Sequence, residues 1–207
     1  ESSIKILGVS RPQLETVVRR KLAANPQVMF LQEATVIGLE ADADRTRATG
    51  VKIDHRFMGE MVVAADLVVD ASGRSTKALK WLESLGYTAP AKTAVNAHAG
   101  YSSRFYEIDP RSGFKAIYVQ PTPMTGARGG VMLPQEGNRW HVSLVGIAGD
   151  FPPTGDDEAF LEWARTLPTP ELYNVLKNAK ALTPPVGFRH AENRLHHYHE
   201  LPRYLEN

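Results

Sequence analysis

The sequence predicts a mixed α/β (α+β) fold in two parts, an α/β part over residues 1–90 and an antiparallel-sheet part over residues 91–207. Two observations support this division. Residues 65–70 (ADLVVD) form a continuous apolar run, which is typical of a parallel strand covered on both faces, and a small-residue turn and a helix pattern follow it. From about Thr93 onward, short segments rich in Val, Tyr, Phe and Trp alternate with turn residues, as in antiparallel sheets.

Composition narrows the class of protein. The 207 residues are 43% hydrophobic, which allows a sizeable core and excludes global disorder. Lys and Arg number 24 against 23 Asp and Glu, so the charge gives no indication of a nucleic-acid partner. No apolar run reaches the roughly 18 residues of a membrane-spanning helix. The absence of cysteine excludes disulfides, a thiolate nucleophile and a Cys-ligated zinc, and fits a cytoplasmic protein.

The first part begins with a helix signal. Ser10 followed by Gln13 is a capping-box pattern, and an apolar stripe with helical spacing predicts one buried face on the helix that follows: Leu14, Val17, Val18 and Leu22. Next come four predicted strands of a meander, at residues 28–31, 34–40, 47–54 and 60–63. After the 65–70 strand, a second helix carries Leu79, Leu82 and Leu85 and ends at Gly86.

The second part reads as a broad antiparallel sheet with two helices. Strands are predicted at residues 94–107, 114–121, 128–134 and 138–148, and two more at 182–190 and 193–199. One helix begins at Asp156-Asp157 and another runs over residues 171–179.

Residues 196–199 (HHYH) are a candidate metal site. On a strand, His197 and His199 share one face while His196 points to the other. Two imidazoles leave a tetrahedral zinc site half filled, and no third ligand stands at a recognisable spacing. We therefore expect no metal at this segment.

Two other local patterns have structural interpretations. Arg128-Gly129-Gly130 resembles one copy of an RNA-binding repeat unit, but the Val-Met-Leu-Pro that follows it favours a strand. The carboxylates of Asp150, Asp156, Asp157 and Glu158 could act as acids and bases, but their place at a predicted helix start favours capping.

Residues 65–75 (ADLVVDASGRS), followed by Trp81-Leu82 and Leu85-Gly86-Tyr87, resemble the second fingerprint of FAD-dependent monooxygenases of the para-hydroxybenzoate hydroxylase and squalene epoxidase-like superfamily. Geranylgeranyl reductases and some halogenases belong to the same superfamily. Residues 10–14 (SRPQL) are similar to the R-x-x-L helix start of that superfamily. Residues 146–153, Phe160 and Asn193-Arg194 are similar to its hydroxylase branch. The resemblance spans essentially the whole chain.

Two segments of the superfamily do not occur in the 207 residues: the glycine-rich G-x-G-x-x-G unit and the later Gly-Asp segment. The resemblance therefore implies a central fragment of such an enzyme. Residues 1–90 would be a partial Rossmann-like FAD domain with a β-meander, and residues 91–207 a substrate-binding antiparallel-sheet domain with two helices. Taken alone, the 207 residues are expected to be colourless and inactive.

The resemblance also implies contacts with FAD. Arg11 would lie near the phosphates or the ribityl hydroxyls, and Val36 would meet the adenine through its backbone. Asp70 would shape its turn, Gly73 would allow close backbone approach, and Arg74 would supply positive charge.

The implied function is that of an FAD-dependent monooxygenase or hydroxylase with NAD(P)H as reductant. A flavin C4a-hydroperoxide would transfer oxygen to an aromatic or alkene small molecule, so most of the chemistry belongs to the cofactor and no catalytic residue is assigned. The candidate substrate-pocket residues are Tyr101, Arg104, Tyr106, Tyr118 and Trp140.

Two alternatives remain open at this point. One is a reductase of the geranylgeranyl type, which transfers hydride instead of oxygen, and the other is a small-molecule binding module without flavin. Because the glycine-rich unit is absent from the 207 residues, Leu67–Val69 would lack the neighbouring strand of the parallel sheet and would form an apolar strand edge, so self-association of the chain is a further expectation.

Overall fold

The computed structural model describes residues 8–109, 115–189 and 192–206. They fall into two compact units. Unit 1 comprises Glu1–Ala24 and Ala94–Asn193, and unit 2 comprises Asn25–Thr93 and Arg194–Asn207. The assignment of residues 1–90 to a cofactor domain and of residues 91–207 to a substrate domain stays a prediction.

Four helices and eleven strands are formed by the described residues. In chain order they are α1 (Arg11–Ala23), β1 (Ala34–Ala41), β2 (Ala48–His55), β3 (Gly59–Ala64), α2 (Ala78–Ser84), β4 (Lys92–Val95), β5 (Gly100–Glu107), β6 (Ile117–Val119), β7 (Arg128–Gln135), β8 (Arg139–Gly146), α3 (Asp157–Arg165), α4 (Glu171–Leu176), β9 (Lys180–Ala181), β10 (Val186–Phe188) and β11 (Asn193–His196).

Unit 1 is built on one antiparallel sheet. Its strand order is β10-β5-β8-β7-β6, and β9 pairs with the end of β5. Successive residues of a strand point to opposite faces, and one face of this sheet packs against α3 and α4. The core between them is made of buried apolar side chains from both layers: Tyr106, Ile117, Val119, Met132, Trp140, Val142, Leu144, Phe160, Trp163, Ala164, Leu167, Leu172 and Leu176.

Capping and ion pairs fix the helix layer of unit 1. The Asp156 side chain accepts a hydrogen bond from the Ala159 N–H at 2.9 Å, so the predicted capping role is confirmed. Arg128 lies in β7 as the sequence predicts, and its guanidinium binds both carboxylate oxygens of Asp150, at 2.7 and 3.0 Å. The same guanidinium lies 3.8 Å from the ring centre of Trp163 on α3. These contacts join the start of β7 to α3.

Unit 2 contains the predicted meander as a three-stranded sheet with the order β1-β2-β3. Its interior includes Ile53 and Tyr87. The Tyr87 hydroxyl donates a hydrogen bond to the Arg45 carbonyl oxygen at 2.6 Å, and the Arg203 guanidinium lies 4.6 Å from the centre of the Tyr87 ring. The C-terminal segment is held on this unit, since the Ala48 N–H donates to the Glu206 carbonyl oxygen at 2.7 Å.

The predicted mixed fold with antiparallel sheets is confirmed, as is the capping of α1, where the Ser10 hydroxyl accepts from the Gln13 N–H at 3.2 Å. The buried stripe predicted for α1 is wrong. No residue of α1 is buried, and Leu14, Val17 and Leu22 are all exposed, because the described residues do not cover its apolar side.

Two predicted strands are also wrong. Residues 28–31 are not a strand, because the turn at Asn25 continues into them and the Val28 N–H donates to the Asn25 carbonyl oxygen. Residues 65–70 form no strand and belong to none of the sheets, and Leu67 and Val69 are 64% and 75% exposed. A parallel strand needs a neighbouring strand that pairs along its length, and no strand of the described residues pairs with this segment in that way.

No helix formed by the described residues is both long enough and apolar enough to span a membrane.

Candidate functional site

The turn after residues 65–70 is organised around Asp70. Its Oδ1 accepts hydrogen bonds from the Ser72 N–H at 2.9 Å and from the Ser72 hydroxyl at 2.6 Å, and its Oδ2 accepts one from the Thr76 hydroxyl. The Ser72 hydroxyl, then the Thr76 hydroxyl and the Ser72 N–H, lower the pKa of Asp70 below its usual range. The carboxylate is therefore an anion engaged within its own turn.

Gly73 and Arg74 continue this turn. Gly73 has φ +67°, a left-handed conformation that other residues adopt only with strain, and it begins a 3₁₀ turn over Gly73–Ser75. A Cβ at this position would meet no atom within 4 Å, so the conformation, and not crowding, favours glycine here. The exposed Arg74 comes next. The structure thus brings Asp70, Gly73 and Arg74 together in one turn of unit 2.

Val36 and Arg11 lie elsewhere. Val36 lies on β1, an edge strand of the three-stranded sheet of unit 2, and stands opposite Ile53 on β2. The register of β1 against β2 is irregular between Val36 and Gly38. Arg11 begins α1 in unit 1, where its exposed guanidinium lies 2.8 Å from the Glu15 carboxylate. A sheet edge offers backbone groups, the left-handed glycine permits close approach, and both arginines face solvent.

The five candidate pocket residues divide between the two faces of the unit 1 sheet. Arg104, Tyr106 and Trp140 point toward α3 and α4 and are buried there. Tyr101 and Tyr118 point to the opposite face, which we call the open face, and are exposed. The division follows from strand alternation, since Tyr101 is an odd number of residues from Arg104.

Arg104 anchors β5 to the helix layer. It is only 4% exposed, its Nε donates to the Thr183 carbonyl oxygen at 2.9 Å, and its Nη1 lies 3.0 Å from the Asp157 carboxylate. The guanidinium also lies 5.5 Å from the ring centre of Phe160. Its charge is satisfied within the protein, so Arg104 acts as a structural link behind the sheet.

The open face carries polar and aromatic side chains that the sequence analysis did not single out. Ser103 and Ser143 stand opposite each other on β5 and β8, and their hydroxyls are hydrogen-bonded. His141 stands opposite Phe105 with ring centres 5.4 Å apart, and burial lowers its pKa. Counting two residues along β5 from Tyr101 reaches Ser103 and Phe105, so alternation is the signal that finds this face.

The histidine segment is not the strand that the sequence predicts. β11 ends at His196, and Tyr198–Glu200 form a 3₁₀ turn. The turn brings Glu200 beside the two histidines, with its Oε1 3.5 Å from His197 Nδ1 and 3.6 Å from His199 Nε2. A third donor is therefore present, and the strand geometry on which the expectation of no metal rested does not hold.

Comparison with known proteins gives a curated relative and similar solved structures of flavin enzymes. No family model matches the chain. Protein Rv3254 of Mycobacterium tuberculosis is 28% identical over 200 residues, which cover 94% of this chain and 42% of that protein. The flavin-dependent brominase Bmp2 has a similar structure, with a TM-score of 0.63 and 16% identity over 87% of this chain and 43% of its own. The chain has the fold of a fragment of FAD-dependent monooxygenases.

A second solved structure supports that conclusion. PqsL of Pseudomonas aeruginosa, described as a probable FAD-dependent monooxygenase, gives a TM-score of 0.58 with 14% identity, over 84% of this chain and 45% of that one. The chain spans less than half the length of each of these three proteins.

Proposed function

We propose that the chain is part of an FAD-dependent monooxygenase or hydroxylase of the para-hydroxybenzoate hydroxylase and squalene epoxidase-like superfamily. The observation that supports the proposal is that a fold similar to flavin-dependent enzymes and the sequence fingerprint of this superfamily occur in the same chain. The fold resembles flavin-dependent enzymes, and the residues of the sequence fingerprint form a turn with a left-handed glycine next to an exposed arginine. The electron donor in this proposal is NAD(P)H.

The proposed cofactor contacts are the five residues that the sequence resemblance implies. Arg11 and Arg74 are exposed cations suited to the phosphates of FAD, and Val36 offers the backbone of an edge strand to the adenine. Asp70 holds the turn in which Gly73 lets the backbone approach. When bound, FAD supplies the redox chemistry. The protein positions the substrate and excludes water.

The open face is the proposed substrate-binding surface. It presents the rings of Tyr101, Phe105 and Tyr118 next to a small polar group, the hydrogen-bonded hydroxyls of Ser103 and Ser143. An apolar surface with few polar groups suits a small aromatic or alkene substrate. The lowered pKa of His141 keeps its imidazole neutral near pH 7. A neutral imidazole can accept a hydrogen bond from such a substrate at one ring nitrogen and donate one to it from the other.

The test uses the full-length protein that contains this chain. We expect it to purify with bound FAD and to consume oxygen in step with NAD(P)H oxidation when a suitable aromatic or alkene compound is present. NAD(P)H oxidation with reduction of the substrate and without oxygen consumption would instead indicate the reductase alternative. A full-length protein that neither retains nor binds FAD would overturn the proposal and favour a binding module without flavin.

A further inference from the structure

The turn that follows β11 gathers three side chains with metal-binding atoms. His197, His199 and Glu200 each contribute one donor atom, and these atoms all lie within 4.8 Å of one another. Zinc binds imidazole nitrogen and carboxylate oxygen at about 2.0–2.2 Å, so two ligands of a tetrahedral site lie roughly 3.4 Å apart. The separations of Glu200 Oε1 from His197 Nδ1 and His199 Nε2, 3.5 and 3.6 Å, are close to that value.

His197 is held in the orientation that a ligand needs. Its Nε2 lies 2.8 Å from the Thr93 hydroxyl oxygen, and its backbone N–H donates to the Ala91 carbonyl oxygen at 2.8 Å. Its side chain is only 21% exposed. In protein metal sites the ring nitrogen that does not bind the metal is usually hydrogen-bonded to a second group, which fixes the tautomer and the ring plane. In the tautomer in which Nε2–H donates to Thr93, the Nδ1 lone pair faces Glu200 and is available to a metal ion.

The chemistry of the three donors selects the class of metal. Two imidazoles and one carboxylate suit zinc and the neighbouring late first-row divalent ions, whereas calcium and magnesium prefer a set made entirely of oxygens. The side chains of His199 and Glu200 are 73% and 58% exposed, so an ion can reach the cluster from solvent. Three protein ligands also leave room for water in a fourth position.

We propose that His197, His199 and Glu200 form a binding site for a zinc-class divalent ion on unit 2, with Thr93 as the group that orients His197. The site is independent of the flavin chemistry proposed above. The ion stabilises the turn by joining residues that otherwise interact only through weak surface contacts.

The test is a competition titration of the tag-free chain, first stripped with chelator, against a chromophoric zinc indicator at neutral pH. We expect one zinc per chain. His197→Ala, His199→Ala and Glu200→Gln should each weaken binding by about tenfold or more, because each removes a ligand. Thr93→Val should weaken it by about tenfold, since loss of an orienting partner typically costs 10- to 100-fold in affinity. A large excess of magnesium should not displace the ion.

His196→Ala is the matched control, since it removes an adjacent histidine that is not part of the cluster. It should leave the affinity unchanged within about twofold, against the tenfold expected for a ligand. Circular dichroism of each variant confirms that the fold is retained. If no saturable binding occurs, or if His196→Ala weakens binding as much as His197→Ala, the proposal is overturned and the segment is an ordinary exposed turn.

Discussion

Arg74 stands directly after the left-handed Gly73, in a turn that Asp70 holds together. If its guanidinium reaches the phosphates of FAD, Arg74→Ala in the full-length protein removes a charge-assisted hydrogen bond. Such a bond contributes roughly 1.5–3 kcal/mol, so we expect FAD affinity to fall by about 10- to 100-fold. Flavin fluorescence during titration of the apoprotein measures the change.

The matched control for Arg74 is Lys80→Ala, which removes the same charge from an exposed position on α2, outside the turn. Its FAD affinity should stay near that of the unsubstituted protein. Equal flavin occupancy in the Arg74 variant and the unsubstituted protein would contradict the assignment of Arg74 to the cofactor.

His141 makes the stability of unit 1 depend on pH. Burial lowers its pKa, so the unfolded chain takes up a proton at a higher pH than the folded chain does. Its contribution to stability is therefore fully present above the ordinary histidine pKa of about 6.5, and it is lost as the pH falls from there toward the folded pKa. We expect His141→Gln to reduce the fall in Tm between neutral and mildly acidic pH.

Ser103→Ala controls the His141 experiment, because it alters the same face of the sheet without removing a titratable group. Its Tm should vary with pH as in the unsubstituted chain. A His141→Gln variant with an unaltered pH dependence would show that the buried imidazole does not account for the acid sensitivity.

Sequence reasoning found residue types at the candidate site more readily than their orientation. The fingerprint located Asp70, Gly73 and Arg74, which the structure does bring into one turn. The aromatic residues of the second part gave no such indication, because Tyr101 and Tyr106 look alike in composition although they face opposite sides of the sheet. Alternation along β5 separates them, since they stand an odd number of residues apart on the same strand.

The packing of β7 and β8 against the helices depends on two glycines with different surroundings. A Cβ at Gly146 would overlap the carbonyl oxygen of Asp150, which is backbone and cannot move aside. A Cβ at Gly130 would lie 2.7 Å from Leu172 Cδ2, the end of a side chain that can shift. Overpacking usually costs about 1–3 kcal/mol, so we expect Gly130→Ala within that range and Gly146→Ala above it.

Chemical denaturation followed by tryptophan fluorescence measures both glycine variants, because Trp140 and Trp163 lie in the core of unit 1. Gly130→Ala is the internal control, since it adds the same methyl group on the same face of the sheet. If Gly146→Ala costs no more than Gly130→Ala, the close approach of Asp150 to β8 does not limit the packing.

Elements that are stabilised locally or by neighbours in sequence were predicted well. The caps at Ser10 and Asp156 and the hairpin from β7 to β8 depend on residues close together in the chain. Residues 65–70 failed as a strand because the apolar pattern specifies burial on two faces but not the partner that provides it. The strand predicted at residues 193–199 ends early, and a 3₁₀ turn follows it. The sequence did not indicate this turn, because a run of histidines carries no strong preference for a strand or a turn.

At the scale of the whole chain, apolar surface is exposed where the 65–70 strand was expected. Leu67 and Val69 face solvent on a segment that joins no sheet. Exposed apolar segments of this kind promote association, so we expect the 207-residue chain to form reversible oligomers that grow with concentration. Leu67→Glu combined with Val69→Glu should shift the sedimentation profile toward monomer.

Phe57→Glu combined with Met58→Glu is the control for the association experiment. These side chains are also exposed, but they lie in the turn between β2 and β3, and the pair adds the same charge. If both double variants dissociate the oligomers equally, general charge repulsion explains the effect and the 65–70 segment has no particular role.

The two-sided sheet of unit 1 affects how this protein can change over evolutionary time. Along β5, the residues that maintain the core alternate one by one with residues that face outward. Ser102, Arg104 and Tyr106 are constrained by the packing behind them, while Tyr101 and Phe105 are not. Relatives can therefore change the side chains of the open face through single substitutions on a shared scaffold, without first acquiring compensating changes in the core.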